Sequence, residues 1–377
     1  MVLRFLRRYQ TLNLIRVSSR AIIKNWAYFK KLNPRVELAP VLKSNAYGHG
    51  LKLIGRLVDR KLDAPFIVVD SLYEAWELRK AGVRTPLLLV GYTMPVNFRT
   101  IKKIDFHLPV FDEATAAAVA YYQPRARLHI KVDSGMGRLG LRLDQVAGFI
   151  KVLKKYRLKK QVVGIYSHLA CADSDREFTE KQISVFKKAI RQFEEAGFSF
   201  AWKHIAATAG AMFIRDPEFN LVRLGLGLYG YLPGELANDW SLGRSLEPAL
   251  ELSTRIIQVK EIDRGDIVGY DGGFCAKRKM VIGVLPIGYY DGLDRRLSNR
   301  GVVLIGRRHC SIIGKVCMNI SMVDLTGVVS PNCGQEVVVI SSDKKQKNSL
   351  AGLAGLIGVT SYELLAGLSG ETRRVLV

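Results

Sequence analysis

Several short segments place chemically competent side chains at the ends of apolar runs. In Val41-Leu42-Lys43-Ser44-Asn45-Ala46-Tyr47-Gly48-His49-Gly50 an apolar strand delivers one lysine to a turn containing glycine. Desolvation at the end of a buried strand favours the neutral amine, the form that condenses with a carbonyl or takes a carbon-bound proton. The segment therefore suits a Schiff base to an aldehyde cofactor. Tyr47 stands four residues on, where its hydroxyl can turn back toward a phosphate, while Gly48 and Gly50 let backbone approach closely. In Lys131-Val-Asp-Ser-Gly-Met-Gly-Arg138-Leu-Gly a strand end runs into a glycine-rich turn that exposes an arginine. Gly164-Ile-Tyr-Ser-His168 is another apolar strand ending in a polar residue, and the glycines of Gly265-Asp-Ile-Val-Gly-Tyr270-Asp-Gly-Gly leave a tyrosine projecting from a turn. Each residue also has a plain structural alternative: a surface lysine, a tight turn, a satisfied core histidine, a hairpin tyrosine.

The elements that must hold these side chains alternate through the first 240 residues. Val36 to Leu42, Phe66 to Val69, Pro86 to Val90, Ala126 to Val132, Val162 to Ser167, Trp202 to Ala206 and Leu221 to Leu224 read as buried strands. Leu72 to Ala81, Glu113 to Tyr122, Leu143 to Tyr156 and Thr179 to Ala196 carry helical spacing. About eight strand-helix units imply parallel strands and suit a closed (β/α)8 barrel, whose chemistry sits at the C-terminal mouth; an open doubly wound sheet shares the pattern. From about Leu246 the helical periods fade. Leu250 to Ile262, Lys279 to Leu285, Gly301 to Ile305, Ser311 to Ile313 and Glu336 to Ile340 read as strands between Gly- and Asp-rich turns. The expected organisation is a barrel domain over 1–240 and a mainly-β domain over 241–377.

With 377 residues and 48% hydrophobic content the chain can bury a large core. Mean hydropathy is +0.08, and no window approaches eighteen uninterrupted apolar residues, so no membrane span is expected. Met1-Val-Leu-Arg-Phe-Leu-Arg-Arg lacks the long apolar region of a secretory signal, which makes the cytoplasm the expected compartment. Five scattered cysteines without a Cys-x-x-Cys pair read as reduced thiols, and no metal site is expected. The net charge of +23 attracts anions. Its basic residues form only short clusters such as Lys277-Arg278-Lys279, without aromatic interleaving, so specific nucleic-acid binding is not expected.

The lysine segment resembles the cofactor-lysine motif of alanine racemases, in the pyridoxal-phosphate fold family that pairs a barrel with a C-terminal β domain. Similar segments follow in the family's order from about Asn13 to the C-terminus. The resemblance implies that Lys43 carries pyridoxal 5'-phosphate. Arg138 then bonds the cofactor's phenolic oxygen and helps receive the substrate carboxylate, and Lys131 is the carbamylated lysine that holds Arg138. His168 lies against the cofactor ring and its arginine. That arginine is Arg223, in Asn220-Leu-Val-Arg223-Leu-Gly225-Leu226-Gly, facing the pyridine nitrogen. Many pyridoxal enzymes place a carboxylate there, which keeps the ring a deep electron sink. An arginine only donates hydrogen bonds, leaves that nitrogen unprotonated, and favours simple proton removal and return. The amides of Gly225 and Leu226, with the Thr208 hydroxyl, are implied to bind phosphate; Thr208 also stands where a helix N-cap would.

Racemisation needs a proton removed from one face and supplied on the other. The resemblance implies that Tyr270 is the second base, reaching the partner subunit's site in a homodimer with shared active sites. Tyr289 of Pro286-Ile-Gly-Tyr289 matches the family's substrate-entrance motif. Met318 of Gly314-Lys-Val-Cys317-Met318-Asn319 matches a loop whose amide touches the substrate carboxylate. The chain departs from the family at Asn319, where many members carry aspartate, at Ala207 in place of asparagine, and at Gly370, where some members use a tyrosine. The reading is an alanine racemase interconverting L- and D-alanine by a two-base mechanism and supplying D-alanine for peptidoglycan. The alternatives are a serine or broad-specificity racemase of the same family and a non-catalytic pyridoxal-phosphate carrier.

Overall fold

The structure, a computed structural model, describes residues 10–100, 106–234, 236 and 245–377. The chain divides into two units. One holds Ile23–Ala46 with the described residues of Ile54–Leu246; the other holds the described residues of Met1–Ile22 with Tyr47–Leu53 and Glu247–Val377. The domain boundary expected at 240/241 lies outside the described residues.

The first strand, β1 (Leu14–Val17), belongs to the second unit. The barrel follows with β2 (Glu37–Pro40), β3 (Ile67–Val69), β4 (Leu87–Leu89), β5 (Phe106–Val110), β6 (Arg127–Lys131), β7 (Val162–Tyr166), β8 (Trp202–His204) and β9 (Leu221–Leu224). β3 to β8 form one parallel sheet in chain order, and β2 pairs with β9 in parallel. The ring closes through a Val41–Val68 bridge on one side and the bonds of the Asn220 and Arg223 amides to the Lys203 and Ala206 carbonyls on the other. Closure excludes the open doubly wound sheet. The wholly buried runs Ile-Val-Val of β3 and Leu-Leu-Leu of β4 are what two covered faces require.

Helices α1 (Ser19–Leu32), α2 (Leu51–Lys61), α3 (Leu72–Lys80), α4 (Glu113–Tyr122), α5 (Val146–Lys155), α6 (Arg176–Glu195) and α7 (Thr208–Phe213) connect these strands. α6 buries Thr179, Gln182, Phe186, Ala189, Ile190 and Phe193, a stripe at three- and four-residue spacing, and starts where Asp175 accepts from the Phe178 amide. Burying each of the two phenylalanines contributes roughly 2–3 kcal/mol.

The second unit is built on one nine-stranded sheet. Its later strands are β10 (Leu250–Arg255), β11 (Gln258–Ile262), β12 (Met280–Leu285), β13 (Val302–Ile305), β14 (Arg308–Ile313), β15 (Ser321–Asp324), β16 (Glu336–Ile340) and β17 (Arg373–Leu376), in the order β11-β12-β15-β14-β13-β16-β10-β1-β17. The stretch Leu250 to Ile262, expected as one strand, is two, because Ile256 and Ile257 leave one pairing for another: β10 pairs with β16 and β11 with β12. α8 (Leu350–Ile357) and α9 (Ser361–Ala366) add helix that the fading periodicity did not announce.

Candidate active site

Lys43 lies just beyond β2 and is half-buried. The backbone on both sides of it is fixed within its own unit. Before it, Val41 N–H donates to the Leu224 carbonyl at 2.9 Å, the Tyr229 hydroxyl donates to the Val41 carbonyl at 2.9 Å, and Leu42 N–H donates to Val68 at 2.8 Å. After it, the Ser44 amide donates to Glu74 Oε1 at 2.6 Å. The other oxygen of Glu74 accepts from Asp70 and Ser71 at the start of α3. Ser44, Asn45, Ala46 and Tyr47 all adopt φ between 51° and 55°, a left-handed turn that costs L-residues about 1–2 kcal/mol each. Such a turn persists where its surroundings over-determine it. Within the second unit, Gly48 continues with φ 78°, and a Cβ there would sit 2.1 Å from the Leu365 carbonyl oxygen.

Arg223, on β9, is buried to 5% exposure, and its guanidinium is the hub of the barrel mouth. One terminal nitrogen donates to His204 Nδ1 at 2.6 Å; the other donates to the Ser167 carbonyl at 2.7 Å, to the Ile205 carbonyl at 3.2 Å and to His168 Nδ1 at 3.1 Å. Burial pulls Arg223 down to about 10, still far above neutral pH, so the group is cationic. His168 and His204 lie well below the usual imidazole range, first through burial and then through Arg223. Because arginine only donates, both Nδ1 atoms are acceptors and both rings are neutral.

Lys131, at the end of β6, is buried to 6% exposure and puts its ammonium 4.4 Å above the Tyr166 ring. Burial, followed by the charges of Arg223 and Arg138, lowers this amine to about 7. The Tyr166 ring is parallel to His204 at 5.0 Å, with the Arg223 guanidinium 5.4 Å away. Beyond Lys131, Asp133 folds the glycine-rich turn by accepting the amides of Gly135, Met136, Gly137 and Arg138, and these four donors hold its carboxyl below the usual range against the opposing effect of burial. Arg138 is left exposed at the rim.

Between β8 and the loop after β9 the Thr208 hydroxyl accepts from the Gly227 amide at 3.0 Å. Ala207, not Thr208, is the N-cap of α7, which corrects the capping alternative and leaves the hydroxyl to the loop after β9. Gly225 and Leu226 open the short helix Leu226–Tyr229 there.

The second unit's candidates are a different population. Tyr270 opens a tight turn between Gly269 and Asp271, both at positive φ, and is 66% exposed. Lys315 pairs with Asp271 beside it. Tyr289 and Met318 come from adjacent loops, joined by the Tyr289 amide on the Cys317 carbonyl and the Tyr290 amide on the Met318 carbonyl. The Tyr290 hydroxyl donates to Glu371, next to Gly370, and this carboxylate raises the phenol. Glu74, Tyr166, His129, His204 and Tyr290 were not singled out by sequence. Tyr166 carried a signal, one strand position before Ser167 and His168, and Glu74 stands three residues after Ser71, the spacing of a capping box.

Comparison with known proteins decides the class. The N-terminal domain pattern of alanine racemases matches residues 17–233 and the C-terminal domain pattern matches 249–376. The chain belongs to the alanine racemase family. It is 33% identical to alanine racemase 1 of Caldanaerobacter subterraneus subsp. tengcongensis, over 94% of this chain and 92% of that one. The alanine racemase of Methanococcus maripaludis is 32% identical over 91% and 92%. Among solved structures, the alanine racemase of Bacillus anthracis with bound L-Ala-P superposes with a TM-score of 0.89 at 28% identity, covering 98% of this chain and 96% of that one. As a member of the alanine racemase family the chain is an isomerase, and the match of its C-terminal domain sets aside the barrel-only carrier. No described helix is long and apolar enough to cross a membrane.

Proposed function

We propose that the chain is a pyridoxal-phosphate-dependent racemase that interconverts L- and D-alanine with two bases on opposite faces of the substrate α-carbon. The observation that supports this best is Arg223, a buried, donor-only cation at the barrel mouth where the family faces the pyridine nitrogen. The donor set fits the cofactor: an amine at Lys43, a cationic hub at Arg223, and a hydroxyl and glycine amides after β8 and β9. When bound, pyridoxal phosphate supplies the electron sink that lets an α-proton leave.

The chain's own residues divide the remaining work. Lys43 holds the cofactor at rest and then moves the proton on the face belonging to D-alanine. Tyr270 of a second copy moves it on the face belonging to L-alanine, which makes a homodimer with shared sites the working unit. Tyr47, Thr208 and the amides of Gly225 and Leu226 hold phosphate; His168 keeps Arg223 in place. Arg138 and the Met318 amide receive the substrate carboxylate, and Tyr289 lines its entrance. Lys131, with an amine near 7, has the neutral form that adds carbon dioxide. The ammonium first loses one proton to give the neutral amine, which forms an N–C bond to carbon dioxide and releases a second, so a cation repelled by Arg138 and Arg223 becomes an anion they attract. In the cytoplasm this activity supplies D-alanine for peptidoglycan.

The broader range that includes serine rests on a departure in sequence: Gly370, exposed here, stands where some members of the family use a tyrosine. The test is incubation of the cofactor-loaded chain with L-alanine, or with L-serine, in deuterium oxide. α-Proton exchange with formation of the D enantiomer is expected for alanine, and equal serine turnover moves the assignment to the broader enzyme. Absence of both exchange and D product overturns the racemase reading.

A further inference from the structure

Behind Arg223 the barrel core contains a feature that no step above uses. His204 Nε2 lies 3.0 Å from His129 Nδ1, and His129 Nε2 lies 2.9 Å from His107 Nδ1. The three rings come from β8, β6 and β5 and are all but inaccessible, at 0%, 0% and 2% exposure. The space is built for them. Phe66 packs edge-on against His107 and His129, Tyr166 stacks on His204, and a Cβ on Gly164 would fall 2.3 Å from His129 Nδ1.

We propose that His107, His129 and His204 form a tautomer-ordered wire that fixes Arg223, which makes His107 and His129 positioning residues for the isomerisation. Arg223 sets the order from one end and the His107 acceptor holds the other. The Arg223 N–H donates to His204 Nδ1, so that nitrogen carries the lone pair and Nε2 the proton. His204 then donates to His129 Nδ1, and His129 Nε2 donates to His107 Nδ1. Each ring has one proton, on Nε2, and all donors point away from the arginine. Burial, the largest effect on both rings, holds His129 and His204 well below the imidazole range and keeps the wire neutral.

The wire acts as a lock because its contacts are all-or-none. A proton arriving on Nδ1 of any ring turns an acceptor into a donor facing a donor. The only relief is to reverse every ring up to His204, whose Nδ1–H would then oppose the Arg223 guanidinium. The acceptor on His107, which does not touch Arg223, thus keeps the lone pair on His204 that orients it. The catalytic consequence rests on the placement of Arg223 at the cofactor nitrogen proposed above; the tautomer order does not.

The test uses the full-length, cofactor-loaded chain labelled with 15N-histidine, in which six histidines make assignment by single replacement practical. Long-range proton–nitrogen correlation at neutral pH is expected to show all three rings neutral with the proton on Nε2. A protonated ring, or Nδ1–H on His204, overturns the wire without any variant being made. His107→Leu removes the terminal acceptor and is expected to reverse the tautomer of His129 and lower racemisation roughly 2- to 30-fold. His107→Gln keeps an acceptor oxygen and is expected to restore both. Gly164→Ala, which pushes the His129 ring while keeping every donor and acceptor, is expected to disturb the same signals. Unchanged turnover in His107→Leu despite a reversed His129 overturns the positioning role. A wild-type chain that shows the tautomer order but no alanine turnover overturns the function proposed above and leaves the wire standing.

Discussion

The barrel and the β unit contribute candidate site residues in opposite physical states. Arg223 and Lys131 are almost wholly buried, and Arg223 is held by ring nitrogens and carbonyls of its own unit. Tyr270, Tyr289 and Met318 are 66%, 43% and 55% exposed on theirs. A buried cation whose two terminal nitrogens are already held is preorganised, and little reorganisation is needed when charge develops near it. A tyrosine, whose ordinary pKa is about 10, is a poor base until positive charge surrounds it. The difference teaches that Arg223 is held by partners of its own unit, whereas Tyr270 in the proposed reaction needs surroundings that its exposed turn does not supply. A second copy of the chain supplies them in the proposed dimer.

The largest expected effect breaks that comparison directly. Lys43→Ala removes the base of the preorganised half and should abolish exchange from both enantiomers. Tyr270→Phe should slow exchange of the L-alanine α-proton by about 10²- to 10⁴-fold while exchange of the D-alanine proton persists. Neither variant alone should racemise alanine at an appreciable rate. Mixed and reassembled, they should regain racemisation, because one site in each hybrid pairs an intact Lys43 with an intact Tyr270. Failure of the mixture to regain activity while hybrids form would show that both bases come from one chain.

How much of this was legible in sequence follows the same division. The barrel strands announced themselves as short buried runs, and Lys43, Lys131, His168 and Arg223 fell at or near their ends, with Arg138 on the turn after β6. β5, Phe-His-Leu-Pro-Val, escaped because a histidine and a proline interrupt its apolar run, although all five residues are buried. His107 sits there, so the strand that was missed carried a member of the wire. β1 escaped for another reason. Its four residues pair with β10 and β17, more than 230 and 350 positions away, and nothing local records such partners. Glu74 reads as the third residue of a helix capping box, which it is. That the same carboxylate also takes the Ser44 amide is a tertiary fact. The depressed amine is likewise a product of packing: the resemblance pairs Lys131 with Arg138, but nothing local in sequence records the burial of Lys131 or the nearness of Arg223.

Lys131 sharpens the comparison through pH. Its folded-state value, about 7, is below the ordinary 10.5, so the folded chain binds fewer protons than the unfolded chain between those limits, and stability rises with pH across that window. Below about 7 the fold must carry a buried ammonium, and the full cost is present. Lys131→Met is therefore expected to raise stability at pH 6 by on the order of 3 kcal/mol, with the gain shrinking toward pH 10. Denaturant melts in carbon-dioxide-free buffer check this. Added bicarbonate at pH 8 should stabilise the wild type and leave Lys131→Met unmoved; an equal gain from the substitution at both pH values would remove Lys131 from the buried, repelled position.

The smallest effect concerns the strained turn after Lys43. Four consecutive non-glycine residues in the left-handed region oppose the turn by several kcal/mol in sum. The charged acceptor on the Ser44 amide offsets only part of that, about 1.5–3 kcal/mol. Glu74→Ala removes it together with half of the capping box of α3, so a stability loss alone would say nothing about Lys43. The informative readout is the split between kinetic constants. If Glu74 aims the lysine, kcat for both directions should fall about 10-fold with KM nearly unchanged, and Glu74→Gln, which keeps the acceptor oxygen but not the charge, should recover most of it. A loss of stability with both kinetic constants intact would mean that the turn is held by the Tyr229, Leu224 and Val68 bonds before Lys43, and that Glu74 serves α3.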